Sequence, residues 1–260
     1  MQCEICRKKL KKIAVFTKPF PNEKIFRLKS LYEKSIYKCS YCDHHKIDSF
    51  DYRNVSKIYS NVYGKLAHGD FKKKFNKIKN IKNKDSSNYF RKKYILSNFK
   101  LKKNDNLLDF GAGIGIFPYS LNKVSNIFFY ELDENSRKFC ENYLKLKYIN
   151  ILKINSLKTK FNYITCNKVL EHMNITDIKK YLKIFNKILH KKGRIYIELP
   201  HSNAAKKGYS RQEFYSEHIN VFSVKSSKIF FKNCGFKLIK LNSLREVSNK
   251  FTLRIILAKN

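Results

Sequence analysis

The sequence predicts an α/β protein in which a doubly wound, Rossmann-like sheet of seven strands follows a small cysteine-bearing segment. From residue 107 onward, short apolar runs alternate with helix-compatible segments, which is typical of a mostly parallel sheet covered by helices. Ahead of that pattern, four cysteines stand in two C-x-x-C pairs within the first 50 residues. A chain of 260 residues has room for one full α/β domain and a small appendage.

Seven apolar runs are predicted to be the strands of this sheet, at 107–110, 127–131, 151–154, 161–166, 194–199, 236–241 and 252–258. The last two are joined without room for a long helix, which predicts an antiparallel hairpin at the sheet edge. Helices are predicted at 116–123, 135–146 and 177–189. The third helix is the clearest because its apolar residues share one face, with Thr176 as the expected N-cap and Gly193 closing the helical region.

The first predicted strand runs into a glycine-rich loop. Asp109 ends the apolar run, and Gly111, Gly113 and Gly115 follow at every second position before the first helix. Such a turn leaves backbone amides free for a ligand. Glu131 stands 20 residues after Gly111, where a carboxylate can accept hydrogen bonds from two ribose hydroxyls. No P-loop pattern occurs in the sequence.

The two cysteine pairs are Cys3 with Cys6 and Cys39 with Cys42. Four thiolates can hold one tetrahedral zinc ion, which would stabilise a short, lysine-rich segment with little core of its own. Four unligated thiols or a redox pair are the alternatives. His44 or His45 could substitute for one cysteine, but both are expected to be exposed. With neither a signal peptide nor an apolar run of membrane-spanning length, the sequence predicts a cytoplasmic protein with reduced cysteines.

The net charge of +36 raises the question of a nucleic-acid partner. Residues 1–105 contain 28 basic and 9 acidic side chains, and residues 106–260 contain 28 and 11, so the excess is spread along the chain. The abundant Lys, Asn, Ile, Phe and Tyr share AT-rich codons, and we favour that codon bias as the origin of the charge. The expected organisation is a zinc-binding module at 1–50, a helical, basic linker and lid at 51–105, and the α/β domain at 106–260.

Two polar segments follow the fourth and fifth predicted strands. The first, 167–173, contains Asn167 and also His172, for which we expect a structural role. The second, 214–223, contains Tyr215, Glu217 and His218. An imidazole with an ordinary pKa can take a proton at neutral pH, Glu217 can orient it, and Tyr215 can donate a hydrogen bond or line a cofactor pocket. The alternative is that this segment only caps the next helix.

The glycine loop with Glu131 resembles motif I of class I S-adenosylmethionine-dependent methyltransferases, and segment 167–173 resembles their N-x-V-L-E-H stretch. The resemblance implies a Rossmann-like class I core that binds S-adenosylmethionine. It also implies a polar residue near the adenine after the third strand, where Asn155 replaces the usual Asp. The implied cofactor-binding residues are Asp109, Gly111, Ala112, Gly113, Gly115, Phe117, Glu131, Leu132, Asn155, Ser156 and Asn167.

The cysteine pairs, the core, the Tyr-x-Glu-His motif at 215–218 and Gly235-Phe236 together resemble the zinc-containing sugar C-methyltransferases of deoxysugar and O-antigen pathways. That resemblance implies a nucleotide-linked keto-sugar or surface-polysaccharide sugar as substrate, a structural zinc and His218 as general base. It also implies that the tyrosine-rich segment 58–63 faces the active site. The 260 residues lack that family's further C-terminal domain, so methylation of oxygen or nitrogen stays open.

Two other functions compete with sugar methylation. An RNA methyltransferase would use the basic surface and the cysteine module to hold phosphates. Against it, no Asn/Asp-Pro-Pro-aromatic tetrad follows the fourth predicted strand. A non-catalytic zinc-ribbon binding protein would keep the core without its activity, but the intact loop from Asp109 to Gly115 argues against that reading.

Overall fold

A computed structural model describes residues 1–23, 32–49, 69–153 and 159–260. Segment 58–63, Asn155 and Ser156 lie outside the described residues, so their predicted roles remain predictions. The strands are β1 Leu10–Phe16, β2 Lys34–Cys39, β3 His45–Ser49, β4 Asn106–Phe110, β5 Asn126–Tyr130, β6 Lys147–Tyr148, β7 Phe161–Asn167, β8 Leu189–Pro200, β9 Asn220–Val221, β10 Phe236–Arg245 and β11 Phe251–Lys259. The α-helices are α1 Phe71–Lys79, α2 Ser87–Phe99, α3 Ile116–Leu121, α4 Glu134–Asn142, α5 Ile175–Ile188 and α6 Val224–Asn233.

The predicted seven-stranded sheet is confirmed, in the order β10-β11-β8-β7-β4-β5-β6. Strands β4 to β8 pair in parallel, and β11 runs antiparallel to both β8 and β10. The hairpin at the sheet edge is therefore present as predicted. Because the strand order reverses between β4 and β7, the carboxyl ends of these strands form the crevice in which doubly wound sheets bind ligands.

The third strand of the sheet lies earlier than the sequence suggested. The prediction placed it at 151–154, but β6 covers Lys147–Tyr148 and pairs with Phe128 and Phe129 of β5. Ile151 is fully buried in a turn after the strand. Its apolar character therefore reflects packing against the core, not pairing within the sheet.

The boundaries of α5 also differ from the prediction. The helix begins at Ile175, because the side-chain oxygen of Asn174, and not that of Thr176, accepts the backbone N–H of Asp177 at 2.8 Å. Gly193 lies inside β8, where a Cβ would come within 2.9 Å of the Asn162 carbonyl oxygen. This glycine permits close approach of two strands, and the helix ends earlier, at Ile188.

Apolar layers cover both faces of the sheet. On one face, α2 buries Ile95 and Phe99 against Tyr196 of β8 and Ile256 of β11. On the other face, α5 and α6 pack against the central strands. Their buried residues are Ile178, Leu182, Phe185, Phe230 and Phe231. The basic segment after residue 70 begins as helix α1, whose Phe75 packs edge to face on Tyr119 of α3.

The N-terminal segment forms a second sheet that takes a strand from the far end of the chain. Its order is β1-β2-β3-β9, with His45 paired to Val221 and Lys46 to Asn220. A buried ion pair joins the same regions, since Lys34 contacts Glu23 at 2.9 Å and Glu23 accepts the hydroxyl of Ser216 at 2.6 Å. The cysteine-bearing segment therefore packs directly on the loop that contains residues 214–218.

A buried ion cluster lies at the carboxyl end of β8. Glu198 is fully buried and accepts hydrogen bonds from both Nε and Nη2 of Arg91, the former at 2.9 Å. The Tyr196 hydroxyl also donates to this carboxylate, and Arg254 lies 3.4 Å from it. Burial alone would raise the pKa of Glu198, but the charge and hydrogen bonds of Arg91, with the charges of Lys168 and Arg254, together hold the pKa well below its usual range. The carboxylate is ionised and links α2 to the sheet.

Candidate active site

The glycine loop leaves β4 in a conformation that favours glycine. Gly111, Gly113 and Gly115 have φ of 72°, 54° and 72°, in the left-handed region. A Cβ on Gly111 would lie 2.4 Å from a methyl carbon of Val169, so this loop packs tightly on the segment after β7. A Cβ on Gly113 would meet no described atom within 4 Å. The loop is therefore packed against protein at Gly111 and has open space beside Gly113.

Glu131 is held in place by the backbone of this loop. Its Oε2 accepts the Gly113 N–H at 2.7 Å, and its Oε1 accepts the Asp133 N–H at 2.9 Å. Burial raises the pKa of Glu131, and the two backbone N–H groups oppose that shift. The carboxylate is thus positioned at the end of β5, beside the loop, as the sequence predicted.

Asp109 lies beneath the loop at the end of β4. Its Oδ1 accepts the Thr165 hydroxyl at 2.6 Å and the Asn167 side-chain amide at 3.0 Å. Burial raises the pKa of Asp109 to about 7. The Oδ1 of Asn167 is buried without a hydrogen-bond partner among the described residues. The structure therefore brings Asp109 and Asn167 together at the ends of adjacent strands.

The other predicted cofactor residues lie around the same crevice. Ala112 is half-buried within the loop, and Phe117 is buried in α3, with the Arg91 guanidinium 6.0 Å from its ring centroid. Leu132 follows Glu131 and is 43% exposed. An exposed leucine beside a fixed carboxylate offers an apolar surface to a flat ligand ring.

A second cavity of about 640 Å³ opens at the carboxyl ends of β7 and β8. Its lining includes Tyr215, Glu217 and His218 from the loop after β8, and Glu171 and His172 from the short 3₁₀ turn after β7. The polar and charged lining also includes Lys168, Arg211, Gln212, Asn249 and Lys250. A cavity lined by acidic, basic and amide side chains suits a ligand rich in hydroxyl groups.

Two Glu-His dipeptides face each other in this cavity. Nδ1 of His172 donates to the Glu217 carbonyl at 2.6 Å, and Nδ1 of His218 donates to the Glu213 carbonyl at 3.0 Å. Since a carbonyl oxygen only accepts, the Nδ1 atom of each ring holds a proton. The two ring centroids are 4.9 Å apart.

Burial lowers the pKa of His218 well below its usual value, and the neighbouring His172 lowers it further. The expectation of an ordinary pKa for His218 was therefore wrong. The sequence places this histidine in a loop, but the structure buries its imidazole. His218 is neutral at pH 7, with its Nε2 lone pair 3.9 Å from Oε1 of Glu217. A neutral imidazole in a polar cavity can accept a proton.

Tyr215 lines the cavity, but its hydroxyl is directed elsewhere. The phenol donates to the Pro21 carbonyl at 2.9 Å, which ties the loop to the N-terminal segment. Burial raises the pKa of Tyr215, so the phenol stays protonated. The structure thus gives this side chain a contact with the cysteine-bearing segment that the sequence did not indicate.

The four predicted metal ligands cluster within the N-terminal sheet. Their sulfur atoms lie 3.7 Å apart for Cys3 and Cys42, 3.5 Å for Cys6 and Cys39, and 3.4 Å for Cys6 and Cys42. The expectation that the two following histidines are exposed is wrong. Both are fully buried, because His44 bridges Cys3 Sγ to the Asn220 side chain and His45 packs edge to face on Phe214.

Sequence reasoning missed two features of the structure around the site. Glu171 received no role and His172 only a structural one, although both line the cavity. The repeated Glu-His dipeptide at 171–172 and 217–218 was an available signal, since both copies follow strands whose carboxyl ends are adjacent. The Arg91 to Glu198 ion pair had no signal, because its partners stand 107 residues apart.

Comparison with known proteins identifies the family. A model of the methyltransferase domain matches residues 85–241, which is more than half of the chain. The chain belongs to the methyltransferase-domain family. It is a class I, S-adenosylmethionine-dependent methyltransferase, and the crevice at the glycine loop is where such a fold binds its cofactor.

The curated relatives that match this methyltransferase include an archaeal and a bacterial protein. The uncharacterized protein MJ0638 of Methanocaldococcus jannaschii is 29% identical over 178 residues, which cover 64% of this chain and 70% of that protein. Ribosomal RNA small subunit methyltransferase G of Rickettsia bellii is 31% identical over 140 residues, which cover 49% of this chain and 72% of that protein. These matches support methyl transfer and leave the acceptor open.

A solved structure shows the same fold. Magnesium protoporphyrin IX methyltransferase from Synechocystis PCC 6803, solved with bound S-adenosylhomocysteine, superposes with a TM-score of 0.54 at 11% identity. The match covers 79% of this methyltransferase and 98% of that chain. None of the helices in the described ranges has the length and apolar character of a membrane span.

Proposed function

We propose that this methyltransferase transfers the methyl group of S-adenosylmethionine to a sugar, either nucleotide-linked or part of a surface polysaccharide. The observation that supports the proposal most is the polar cavity beside the cofactor crevice. Its wall contains Glu217 and the neutral imidazole of His218. Its amide side chains can bind sugar hydroxyls, and Lys168 and Lys250 can attract a diphosphate.

In this proposal the glycine loop and the segments after β5 and β7 hold the cofactor. Gly111, Gly113 and Gly115 let the backbone approach the nucleoside, and Glu131 accepts hydrogen bonds from the ribose hydroxyls. The other expected contacts come from Asp109, Ala112, Phe117, Leu132, Asn155, Ser156 and Asn167. The sulfonium methyl would then face the cavity that contains His218.

The proposed reaction is an in-line displacement. Nε2 of His218 takes the proton from a sugar hydroxyl, or from a carbon beside a carbonyl group, as that atom attacks the methyl carbon. The new bond forms while the S–CH₃ bond breaks, and the electron pair of that bond leaves with sulfur to give S-adenosylhomocysteine. Most of the rate comes from alignment, because the sulfonium is already a good leaving group.

Replacing His218 with asparagine is expected to lower kcat for sugar methylation by about 10²- to 10⁴-fold, which is the usual contribution of a general base. The affinity for S-adenosylmethionine, measured by calorimetry, should not change. Because burial lowers the pKa of His218, wild-type activity should persist as pH falls through 6.5 and decline only at lower pH. His190→Asn, at an exposed histidine of β8, is the matched control. Wild-type turnover in His218→Asn would refute the role.

Gly113→Ala is expected to weaken S-adenosylmethionine binding by at least about 10-fold, because the added methyl group would occupy the open side of the loop. Gly235→Ala is the matched control, since Gly235 also has positive φ and a Cβ there meets no described atom within 4 Å. Both variants should lose about 1 kcal/mol of stability through backbone strain. Equal cofactor affinity in the two variants would contradict this placement of the cofactor.

We further propose that Cys3, Cys6, Cys39 and Cys42 hold a structural zinc ion. A tetrahedron with Zn–S bonds of 2.3 Å has sulfur–sulfur edges of about 3.8 Å, close to the distances between these thiols. Four thiolates leave no open position, so this zinc would stabilise the N-terminal sheet and would not activate water.

Residues 1–50 would form the zinc module, 51–105 the linker and lid, and 106–260 the methyltransferase domain. Seven free cysteines suit a reducing, cytoplasmic setting.

RNA is the second candidate acceptor. The net charge of +36 supports it, and so does the similarity to a ribosomal RNA methyltransferase. In that case the lysines of the cavity and of the surface would contact phosphates, and binding would weaken steeply as salt rises. The size of the cavity, about 640 Å³, favours a small acceptor, which is why the sugar is proposed first.

A further inference from the structure

The two facing Glu-His dipeptides place together three side chains of the types that commonly bind metal ions. One ligand atom from each of Glu171, His172 and His218 lies within 4.8 Å of the other two. These residues come from two different loops, one after β7 and one after β8. They are also separate from the cluster of four cysteines in the N-terminal sheet.

The two imidazoles are held as metal ligands usually are. A metal-binding histidine commonly donates its other ring N–H to a carboxylate or a backbone carbonyl, which fixes the ring and leaves one lone pair for the ion. Both rings make this backbone contact here, since Nδ1 of His172 donates to the Glu217 carbonyl and Nδ1 of His218 donates to the Glu213 carbonyl.

The third side chain is a buried carboxylate with an unused oxygen. Glu171 is 1% exposed, and its Oε2 has no hydrogen-bond partner among the described residues. A buried carboxylate normally pairs with a cation or hydrogen-bond donors, because leaving it unpaired is costly. An ion between Glu171 and the two imidazoles would satisfy this oxygen.

We propose that Glu171, His172 and His218 bind a divalent transition-metal ion in the wall of the acceptor cavity. Two imidazole nitrogens and one carboxylate oxygen suit Zn²⁺, Fe²⁺, Co²⁺ or Mn²⁺, whereas Mg²⁺ and Ca²⁺ prefer oxygen ligands. Three protein ligands leave coordination positions open, so the site can bind oxygen atoms of the acceptor.

This inference rests on the proposed function for its role in methyl transfer. A bound ion lowers the pKa of a hydroxyl that coordinates it, which makes the acceptor oxygen nucleophilic at neutral pH. With the ion present, His218 would be a ligand, and the Glu217 carboxylate, whose Oε1 lies 3.9 Å from His218 Nε2, would accept the hydroxyl proton instead. In the metal-free protein, His218 accepts the proton directly, as proposed above.

The test counts zinc and does not depend on activity. Full-length protein is saturated with Zn²⁺, freed of unbound ion by gel filtration and analysed for zinc per chain. Wild type should retain about two ions, one at the cysteines and one in the cavity, and Glu171→Gln about one. Glu217→Gln is the matched control, because this carboxylate lines the same cavity outside the triad, and it should retain about two.

The outcomes separate this inference from the earlier proposals. A loss of about one zinc in Glu171→Gln, and again in His218→Asn, with none in Glu217→Gln, supports the triad. Equal zinc in wild type and Glu171→Gln, or an equal loss in Glu217→Gln, overturns it. If the cysteines bind no zinc, all totals fall by one while the difference caused by Glu171→Gln remains. Failure to methylate sugar leaves these counts unchanged.

Discussion

Cys39→Ser is expected to release the N-terminal zinc and to lower the free energy of unfolding by on the order of 5 kcal/mol. Structural zinc sites in small modules contribute at least that much, because the metal replaces a core that the segment lacks. The loss of zinc would also disturb the active site, because β3 of the N-terminal sheet pairs with β9, which follows His218 closely in the chain. Chemical denaturation and elemental analysis of the purified protein measure both effects.

Cys234→Ser is the control for this prediction. Cys234 is half-buried at the end of α6, outside the cluster, so its replacement should cost about 1 kcal/mol or less. Unchanged zinc content and stability in Cys39→Ser would show that the four thiols are unligated.

Glu198→Ala is expected to lower the free energy of unfolding by about 3–5 kcal/mol, because it leaves buried cations without their counter-charge. Arg91 and Arg254 both lie against this fully buried carboxylate. The ionised form has a pKa below its unfolded value, so its contribution is complete above about pH 4.5 and is lost only as pH falls towards the folded-state pKa. Urea denaturation at pH 7 measures the change.

Glu134→Ala tests whether burial causes that loss. Glu134 pairs with Lys138 at 2.8 Å on α4, but more than half of each side chain is exposed. Water and salt screen such a pair, so no measurable change in stability is expected. Similar losses in the two variants would contradict the account of the Glu198 cluster.

The sequence was sufficient to predict the fold class because the strands of the main sheet are short, apolar and regularly spaced. The structure confirms the predicted hairpin of β10 and β11. It also confirms that the glycine loop and Glu131 follow the ends of neighbouring strands, because those strands were recognisable in the sequence. The third strand was misplaced because Ile151 is buried without being in the sheet, and burial alone does not distinguish the two cases.

The features that the sequence did not predict depend on contacts between segments that are distant along the chain. Nothing near residues 45–46 indicates that they pair with β9, a strand of only two residues at Asn220–Val221. That pairing buries His44 and His45, which local sequence suggested were exposed. Likewise, the triad in the acceptor cavity becomes visible only when the loops after β7 and β8 are adjacent in space.

The most direct test of the proposed function is transfer of labelled methyl from S-adenosylmethionine by the purified protein. A nucleotide-sugar extract and total RNA from the source cells are offered separately. The proposal predicts label in a small sugar nucleotide that binds charcoal, and its loss in His218→Asn. Label in RNA alone would contradict the sugar acceptor and would make the net charge of +36 a functional feature of the protein.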